Sequence, residues 1–203
     1  MFFEPAHGHG LPHDPFRAIV APRPIGWVSS VSPTGVVNLA PYSFFNAIAG
    51  KPPMVMVSSE GIKDSITNIR DTGEFVVNLA THALAQRMNE TSRDHAPDVN
   101  EFEPAGLTAV PSRLVAPPRV AESPAALECK VTQMVALPDL SGDTGQRLMA
   151  IGEVVGIYID DAALTDGMFD MVKVGTLARC GYWDYLVATE LFDMPKPDSK
   201  GTH

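Results

Sequence analysis

The stretch that decides the fold reads VVNLAPYSFFNAIAGKPPMVMVSSEGIKDS, residues 36–65. It begins as a β-run, carries aromatic, amide and hydroxyl side chains over residues 38–46, and turns at the KPP of residues 51–53. A second β-run, residues 54–57, starts after the prolines because proline cannot donate to a strand ladder. The hydroxyl-rich loop of residues 58–65 then leads into a helix. Aromatic rings followed by hydroxyls, a lysine and a helix start favour a flat heterocycle with a phosphate tail.

On the N-terminal side of this stretch, the sequence predicts a β-hairpin. Residues 24–31 (PIGWVSSV) indicate a strand, and SPTG at residues 32–35 indicates a turn, with proline where φ is fixed and glycine at the last position. The return strand begins at Val36 and runs to about Phe45. The hairpin therefore joins the aromatic and amide cluster to a neighbouring strand.

On the C-terminal side, residues 63–73 predict a short helix. Asp64 or Ser65 is placed to cap its start, and Gly73 suits its C-terminal stop. A strand over residues 74–79 (EFVVNL) follows. The rest of the chain predicts, in order, a helix capped by Thr81 and ending near Ser92, an irregular excursion over residues 93–126 with one short strand at most, and strands over residues 127–137, 148–159 and 186–188.

These elements predict a mostly β fold. Strands outnumber helices and no βαβ rhythm occurs, which favours a closed or partly closed barrel with a few short helices. Gly152 and Gly156 mark expected bends in the longest strand. We expect an N-terminal arm over residues 1–22, a single domain over residues 23–193, and a mobile tail over residues 194–203.

Composition limits the function. The chain has 203 residues, 45% hydrophobic content and a net charge of −9, which indicates one domain with a sizeable core and argues against broad nucleic-acid binding. No apolar run is long enough to cross a bilayer and the N-terminus lacks signal-peptide features, so we expect a cytoplasmic protein with no membrane partner. Cys129 and Cys180 fit no metal spacing and are expected to be reduced thiols. The three histidines near the N-terminus lack partners at metal-ligand spacing, so we predict no metal site.

The common catalytic motifs are absent. The sequence holds no G-x-G-x-x-G, no Walker A loop, no H-E-x-x-H, no C-x-x-C and no G-x-S-x-G. What remains is a phosphate-type loop, in which Ser58, Ser59, Ser65 and Lys63 precede or begin a helix. The alternative is an ordinary capped helix with a solvated lysine.

The aromatic and amide cluster also has two interpretations. Tyr42, Phe44 and a neighbouring phenylalanine are compatible with an ordinary core. Asn38 and Asn46 favour a ligand, because asparagine is depleted in strands and a buried amide needs partners. Pro41 within the run implies an edge or bulge that frees backbone groups. An isoalloxazine edge, with both donors and acceptors, fits such a wall.

Together these segments resemble the flavin reductase-like family of FMN-binding split-barrel proteins. The resemblance covers nearly the whole chain in order, through RPIGWVSSV (23–31), NLAPYSFFN (38–46), PPMVMVSS (52–59), KDSITNI (63–69), EFVVNL (74–79), MNETS (88–92), EFEPAGLT (101–108), ALEC (126–129) and IGEVVGIYID (151–160). It departs at residues 179–183 (RCGYW), where many members carry an Arg-x-Gly-Gly-like stretch. It departs again at residues 148–150 (LMA), where some relatives have a histidine.

The resemblance implies an FMN-binding split β-barrel that forms a homodimer, with the flavin near the interface. It implies an NAD(P)H-dependent flavin reductase, in some relatives supplying a separate monooxygenase. We assign no catalytic residue. The predicted cofactor-binding residues are Ser29, Ser30, Asn38, Ala40, Pro41, Tyr42, Ser43, Phe44, Asn46, Ser58, Ser59, Lys63, Asp64 and Ser65. Two alternatives stay open: a flavin-binding or electron-transfer module without turnover, and a structural barrel whose pocket is empty or takes another ligand, such as heme or a pyridoxal derivative.

Overall fold

A seven-stranded antiparallel sheet organises the computed structural model, which describes residues 1–96, 98–195 and 197. The strands are β1 (Arg23–Pro24), β2 (Gly26–Val31), β3 (Val37–Tyr42), β4 (Phe45–Gly50), β5 (Pro53–Glu60), β6 (Glu74–Leu79), β7 (Ala109–Val110), β8 (Arg119–Val120), β9 (Ala125–Ala136), β10 (Arg147–Ile159), β11 (Leu164–Thr165), β12 (Met168–Phe169), β13 (Leu177–Arg179) and β14 (Tyr185–Val187). The helices are α1 (Phe16–Ile19), α2 (Asp64–Thr72) and α3 (Ala85–Glu90), with 3-10 turns at Pro5–His7, His82–Leu84 and Asp161–Ala163.

The order of the strands shows how the sheet closes. It runs β3-β2-β6-β9-β10-β5-β4, so β3 and β4 lie at opposite edges. Only Ser43 and Phe44 separate these two strands in sequence. Three residue steps span at most about 10 Å, so the two edges must meet and the sheet must curl into a barrel. The barrel is split where β3 and β4 face each other without pairing, which confirms the predicted split β-barrel.

Alternation along the strands divides the core between the two faces of the sheet. Val28 belongs to a cluster that fills the barrel with side chains from β5, β6, β9 and β10 and with Ile66 and Ile69 of α2. Its neighbour Trp27 points the other way and packs with Met88 of α3 and Phe102 on the outside. The inner packing fixes α2 against the barrel, and this placement positions the first turn of α2 beside β3.

Several predicted elements are confirmed at or near their bounds. The 32–35 turn closes with the N–H of Gly35 donating to the carbonyl of Ser32, and β6 spans the predicted residues. The pairing of β9 with β10 shifts register at Gly152 and again before Gly156, as the predicted bends require. A Cβ on Gly152 would lie 2.7 Å from the Phe75 ring, so close packing also demands glycine there. Both cysteines are free thiols, and Cys129 is buried.

Other predictions were wrong in detail. The return strand ends at Tyr42 instead of about Phe45, and the segment Phe45–Gly50 is a separate strand that pairs with β5. The sequence pattern missed this break because it carries no turn signal, and the chain crosses from one sheet edge to the other there. The excursion over residues 93–126 holds two short strands, β7 and β8, which pair with each other. The helix predicted to run to Ser92 is a 3-10 turn followed by α3, which ends at Glu90.

The two ends of the chain were predicted as an arm and a tail. Residues 1–22 contain a 3-10 turn and α1 and are largely exposed. Part of the predicted mobile tail, residues 196 and 198–203, lies outside the described residues. Over the described ranges, no helix is long and apolar enough to span a membrane, and no group of three or more His, Cys, Asp or Glu side chains is placed to hold a metal ion.

Candidate functional site

The candidate site is an open cavity of about 420 Å³ beside the split of the barrel. Its walls come from β3 and the Ser43–Phe44 crossing, from the end of β5, from the start of α2 and from residues 91–95. The backbone N–H of Ser58 donates to the carbonyl of Phe44 at 2.8 Å, which ties the crossing to β5. Barrel closure therefore brings together two segments, residues 38–44 and 58–65, that the sequence separates.

Most of the predicted binding residues line this single cavity. They are Asn38, Ala40, Pro41, Tyr42, Ser43, Phe44, Ser58, Ser59, Lys63, Asp64 and Ser65. The structure shows these residues in one place, and their contact with a ligand stays a prediction.

Three predicted residues do not reach the cavity. Ser29 and Ser30 are fully buried on β2, where Ser29 Oγ donates to the carbonyl of Pro118 and Ser30 Oγ accepts from Nδ2 of Asn68. Asn46 lies exposed on β4 and its Oδ1 accepts from the N–H of Ala47. Both faces of β2 are covered, by the Pro118 segment at Ser29 and by Asn68 of α2 at Ser30, so neither of the adjacent serines reaches the cavity.

One end of the cavity is suited to an anion. The nine-residue helix α2 begins here with Lys63 at its N-cap, and neither Asp64 nor Ser65 caps it as the sequence suggested. Lysine offers no acceptor to the N–H groups of the first turn, so this helix start has no side-chain cap, and its residues Lys63, Asp64 and Ser65 line the cavity. Ser59 is buried and its Oγ donates to the carbonyl of Gly61 at 2.7 Å, which fixes the loop. Ser58 and Lys63 are the more accessible donors of this loop.

A buried polar network supports the wall of the cavity. Nδ2 of Asn38 donates to Oε1 of Glu101 at 2.8 Å, and Ser65 Oγ donates to Oδ1 of the same amide. Both ends of the Asn38 amide are therefore satisfied within the protein. We expected this amide to meet a ligand because buried amides need partners; the structure supplies those partners itself.

Two polar groups in the wall lack a hydrogen-bond partner among the described residues, the Tyr42 hydroxyl and Nε2 of His95. The Tyr42 hydroxyl is buried and makes no hydrogen bond of normal geometry with the described residues. Burial raises the pKa of this phenol; neighbouring Ser65 and Ser59 oppose the shift, and the nearby carboxylates of Asp64 and Glu101 add to it. A neutral phenol at this position retains its proton and is available as a donor to a bound molecule.

Several lining residues were not predicted from the sequence. Arg17 of the N-terminal arm pairs with Glu60, with Nη2 and Oε2 3.0 Å apart, and its Cζ lies 5.6 Å from the centroid of the Phe44 ring. The 91–95 segment and Glu101 complete the wall. Glu101 is the first residue of the EFEPAGLT segment, which is one of the segments that carry the family resemblance. The sequence therefore offered a reason to consider Glu101 as a site residue. Arg17 stands in the irregular arm, where no pattern marks it.

Comparison with known proteins decides the family. The sequence profile described as flavin reductase like domain matches residues 18–176. A relative from Aquifex aeolicus, itself uncharacterized, is 38% identical over 176 residues that cover 84% of this chain and 86% of the relative. The chain belongs to the flavin reductase-like family. The predicted membership is thereby confirmed.

Solved structures of this flavin reductase-like family share the architecture. Nitrilotriacetate monooxygenase component B from Bacillus cereus aligns with a TM-score of 0.86 at 27% identity, covering 96% of this chain and 98% of that one. The 2-nitrobenzoate 2-nitroreductase of Pseudomonas fluorescens aligns with a TM-score of 0.79 at 29% identity, covering 91% of each chain. A split-barrel flavin reductase-like protein from Shewanella frigidimarina aligns with a TM-score of 0.84 at 24% identity, a likeness of fold.

Proposed function

We propose that this protein binds FMN in the cavity beside the barrel split and reduces it with NADH or NADPH. The observation that carries the proposal is one cavity with an anion-binding end at α2 and aromatic and hydroxyl groups at the other end. Its volume of about 420 Å³ falls within the roughly 300–1,000 Å³ of small-molecule sites.

The residues present fit FMN at both ends. Lys63, Ser58 and the first N–H groups of α2 would hold the phosphate, because an uncapped helix start attracts anions. The ring of Phe44 offers a flat surface for the isoalloxazine. The unpartnered Tyr42 hydroxyl lies near Ser59 and Ser65 at the start of α2 and offers a further donor toward the phosphate end. These roles rest on the donor set in the cavity.

FMN held by these residues would supply the redox chemistry, namely hydride transfer from nicotinamide and electron transfer to an acceptor. The protein would bind the flavin, orient it and shield it from solvent. The pair formed by Arg17 and Glu60 borders the cavity next to Phe44 and would limit solvent access there. No side chain needs to act as a dedicated acid or base for hydride transfer, which agrees with the absence of an assigned catalytic residue.

Two finer proposals concern partners, one suggested by a similar structure and one by exposed apolar side chains. One similar structure is named as component B of nitrilotriacetate monooxygenase. This name supports the proposal that the present protein delivers reduced flavin to a separate monooxygenase. We also infer a homodimer, because large apolar side chains are exposed along the C-terminal segment, where Trp183 is 89% and Phe192 80% exposed. Sedimentation or light scattering tests the dimer directly, and a monomer at micromolar concentration contradicts it.

The test of the main proposal is spectroscopic. The purified chain is loaded with FMN, freed of excess cofactor, and titrated anaerobically with NADH or NADPH. We expect a yellow protein whose flavin absorbance bleaches with one nucleotide. A protein that binds FMN but does not bleach with either nucleotide is a flavin-binding or electron-transfer module without turnover. A protein that takes up no FMN overturns the proposal entirely.

A further inference from the structure

A second cavity, of about 610 Å³, shares no lining residue with the candidate flavin cavity. It lies between the loop that joins β7 to β8, a residue of β9 and the C-terminal end of β10. Its size also falls within the range of small-molecule sites. The inference drawn from it does not depend on the proposed flavin function.

Arg119 is one of two arginines that line this cavity, the other being Arg113. The Arg119 guanidinium lies on the ring of Tyr158, with Cζ 3.7 Å from the ring centroid, and this stacking fixes its plane. Nη1 of Arg119 is buried and finds no hydrogen-bond partner among the described residues. A buried charged donor without a partner destabilises the folded protein. Arg119 also lines the cavity, so an anion that binds beside its guanidinium would place an acceptor next to this unpaired group.

The carboxylate in the cavity wall is already engaged by the backbone. Oε1 of Glu128 accepts from the N–H of Arg113 at 2.9 Å, and Oε2 accepts from the N–H of Leu114 at 2.6 Å. Within the described part of the chain, neither Arg113 nor Arg119 forms an ion pair. The cavity therefore keeps two guanidinium groups free of acidic partners in a protein whose net charge is −9.

The loop that forms the rim is held in place. Besides the two contacts from Glu128, Oε2 of Glu74 accepts from the N–H of Ala116 at 2.8 Å. Ser112 and Ser29 donate to the carbonyls of Pro117 and Pro118. An irregular loop tied at this many points presents a preformed site, which lowers the entropy cost of binding.

The remaining walls are apolar. Leu114, Ile157 and Ile159 border the cavity and are partly exposed, with Ile157 61% exposed. Apolar walls around one oriented guanidinium suit a molecule with a hydrocarbon body and one planar anionic group. Arginine binds carboxylates in a two-point geometry, which lysine cannot match.

We propose that this cavity is a binding site for a small organic carboxylate with an apolar body. The carboxylate pairs with Arg119, and the body lies against Leu114, Ile157 and Ile159.

Calorimetric titration of the full chain with four probes tests this assignment. Octanoate and benzoate carry both a carboxylate and an apolar body, acetate lacks the body, and inorganic phosphate lacks the body and the carboxylate. We expect octanoate or benzoate to bind at least tenfold more tightly than acetate and phosphate. Equal binding of all four, or no binding because a second copy of the chain covers the cavity, overturns the proposal.

Two variants identify the site. Arg119→Met should weaken binding of the tighter probe at least tenfold while leaving the melting temperature equal or higher, because it removes an unpartnered buried donor. Arg70→Met, at an exposed arginine paired with Asp71, is the control and should leave binding unchanged. Ile157→Asp puts a negative charge on an exposed wall residue and should also weaken binding at least tenfold. Unchanged affinity in Ile157→Asp overturns the assignment even if Arg119→Met folds poorly.

Discussion

Glu101 holds the start of the cavity wall through Asn38. Its Oε1 accepts from Nδ2 of Asn38 at 2.8 Å, and its Oε2 accepts from the backbone N–H of Leu39 at 2.9 Å. Glu101 is only 5% exposed and lies more than sixty positions along the chain from both partners. The irregular segment that contains Glu101 thus fixes β3. This strand carries most of the residues that were predicted to contact the isoalloxazine ring.

We expect Glu101→Gln to lower the free energy of unfolding by about 1–3 kcal/mol, because the new amide has one acceptor oxygen for two donors and leaves a buried group unpaired. Chemical denaturation measures the change. Glu103→Gln, at an exposed position two residues away, is the control and should change stability by less than about 0.5 kcal/mol. Equal effects of the two substitutions would show that the Glu101 contacts do not stabilise the wall.

Lys63 should contribute to FMN binding through the phosphate alone. We expect Lys63→Met to weaken FMN affinity about tenfold at low salt, with a smaller loss at high salt because the side chain is exposed. Riboflavin, which lacks the phosphate, should bind the variant and the parent equally well. Lys51→Met changes an exposed lysine in the β4–β5 turn and is the control. A loss that is the same for FMN and riboflavin contradicts the phosphate role.

The bend at Gly152 should not tolerate a side chain. Its Cβ would lie 2.7 Å from Cε1 and Cζ of Phe75, whose ring is fully buried in the barrel. Gly152→Ala should therefore cost about 1–3 kcal/mol of unfolding free energy through overpacking. Gly50→Ala, where no atom lies within 4 Å of the new Cβ, should change the thermal midpoint little. If Gly152→Ala is as stable as Gly50→Ala, the Phe75 ring can move aside without a measurable cost, and the overpacking prediction is wrong.

Cys129 should be inert toward thiol reagents in the folded protein. Burial, with a smaller effect of neighbouring Glu128, raises the pKa of its thiol from 9.0 to about 12. In a Cys180→Ala protein, labelling should stay slow from pH 7 to pH 9 and become fast on unfolding in urea. Rapid labelling of the folded protein at pH 9 would contradict the burial.

The same shift makes a prediction about stability against pH. The folded pKa lies above the unfolded one, so the folded state favours the neutral thiol. The contribution of the neutral Cys129 thiol to the unfolding free energy is complete below pH 9 and is lost as the pH rises from 9 toward 12. Unfolding free energies of Cys180→Ala and of the Cys129→Ala, Cys180→Ala double variant, measured between pH 8 and pH 10.5, should converge as pH rises. A constant difference would show that the Cys129 thiol does not titrate differently in the two states.

The sequence alone predicted the split barrel, the helix over α2 and the two groups of residues that line the cavity. Alternation and the positions of proline and glycine are local signals, and they predicted the helix and a closed or partly closed barrel. The split barrel was implied by the resemblance of the ordered motifs to the flavin reductase-like family. The break between β3 and β4 was missed, because Ser43 and Phe44 look like part of a continuing strand. Ser29 and Ser30 lie outside the cavity because Pro118 and Asn68, which are distant in sequence, cover the two faces of β2, and an adjacent pair of serines carries no sign of that covering.

The sequence by itself determined most of the strands and helices and the chemistry that the two main segments carry: aromatic and amide side chains over residues 38–44, and hydroxyl groups with a lysine over residues 58–65. Only the tertiary structure decided that these two segments form one site, since barrel closure brings the edge strands together. It also decided the partners of Asn38, the position of Arg17 over Phe44 and the unpartnered Nη1 of Arg119. These are contacts between residues far apart in the chain, and local patterns do not encode such distances.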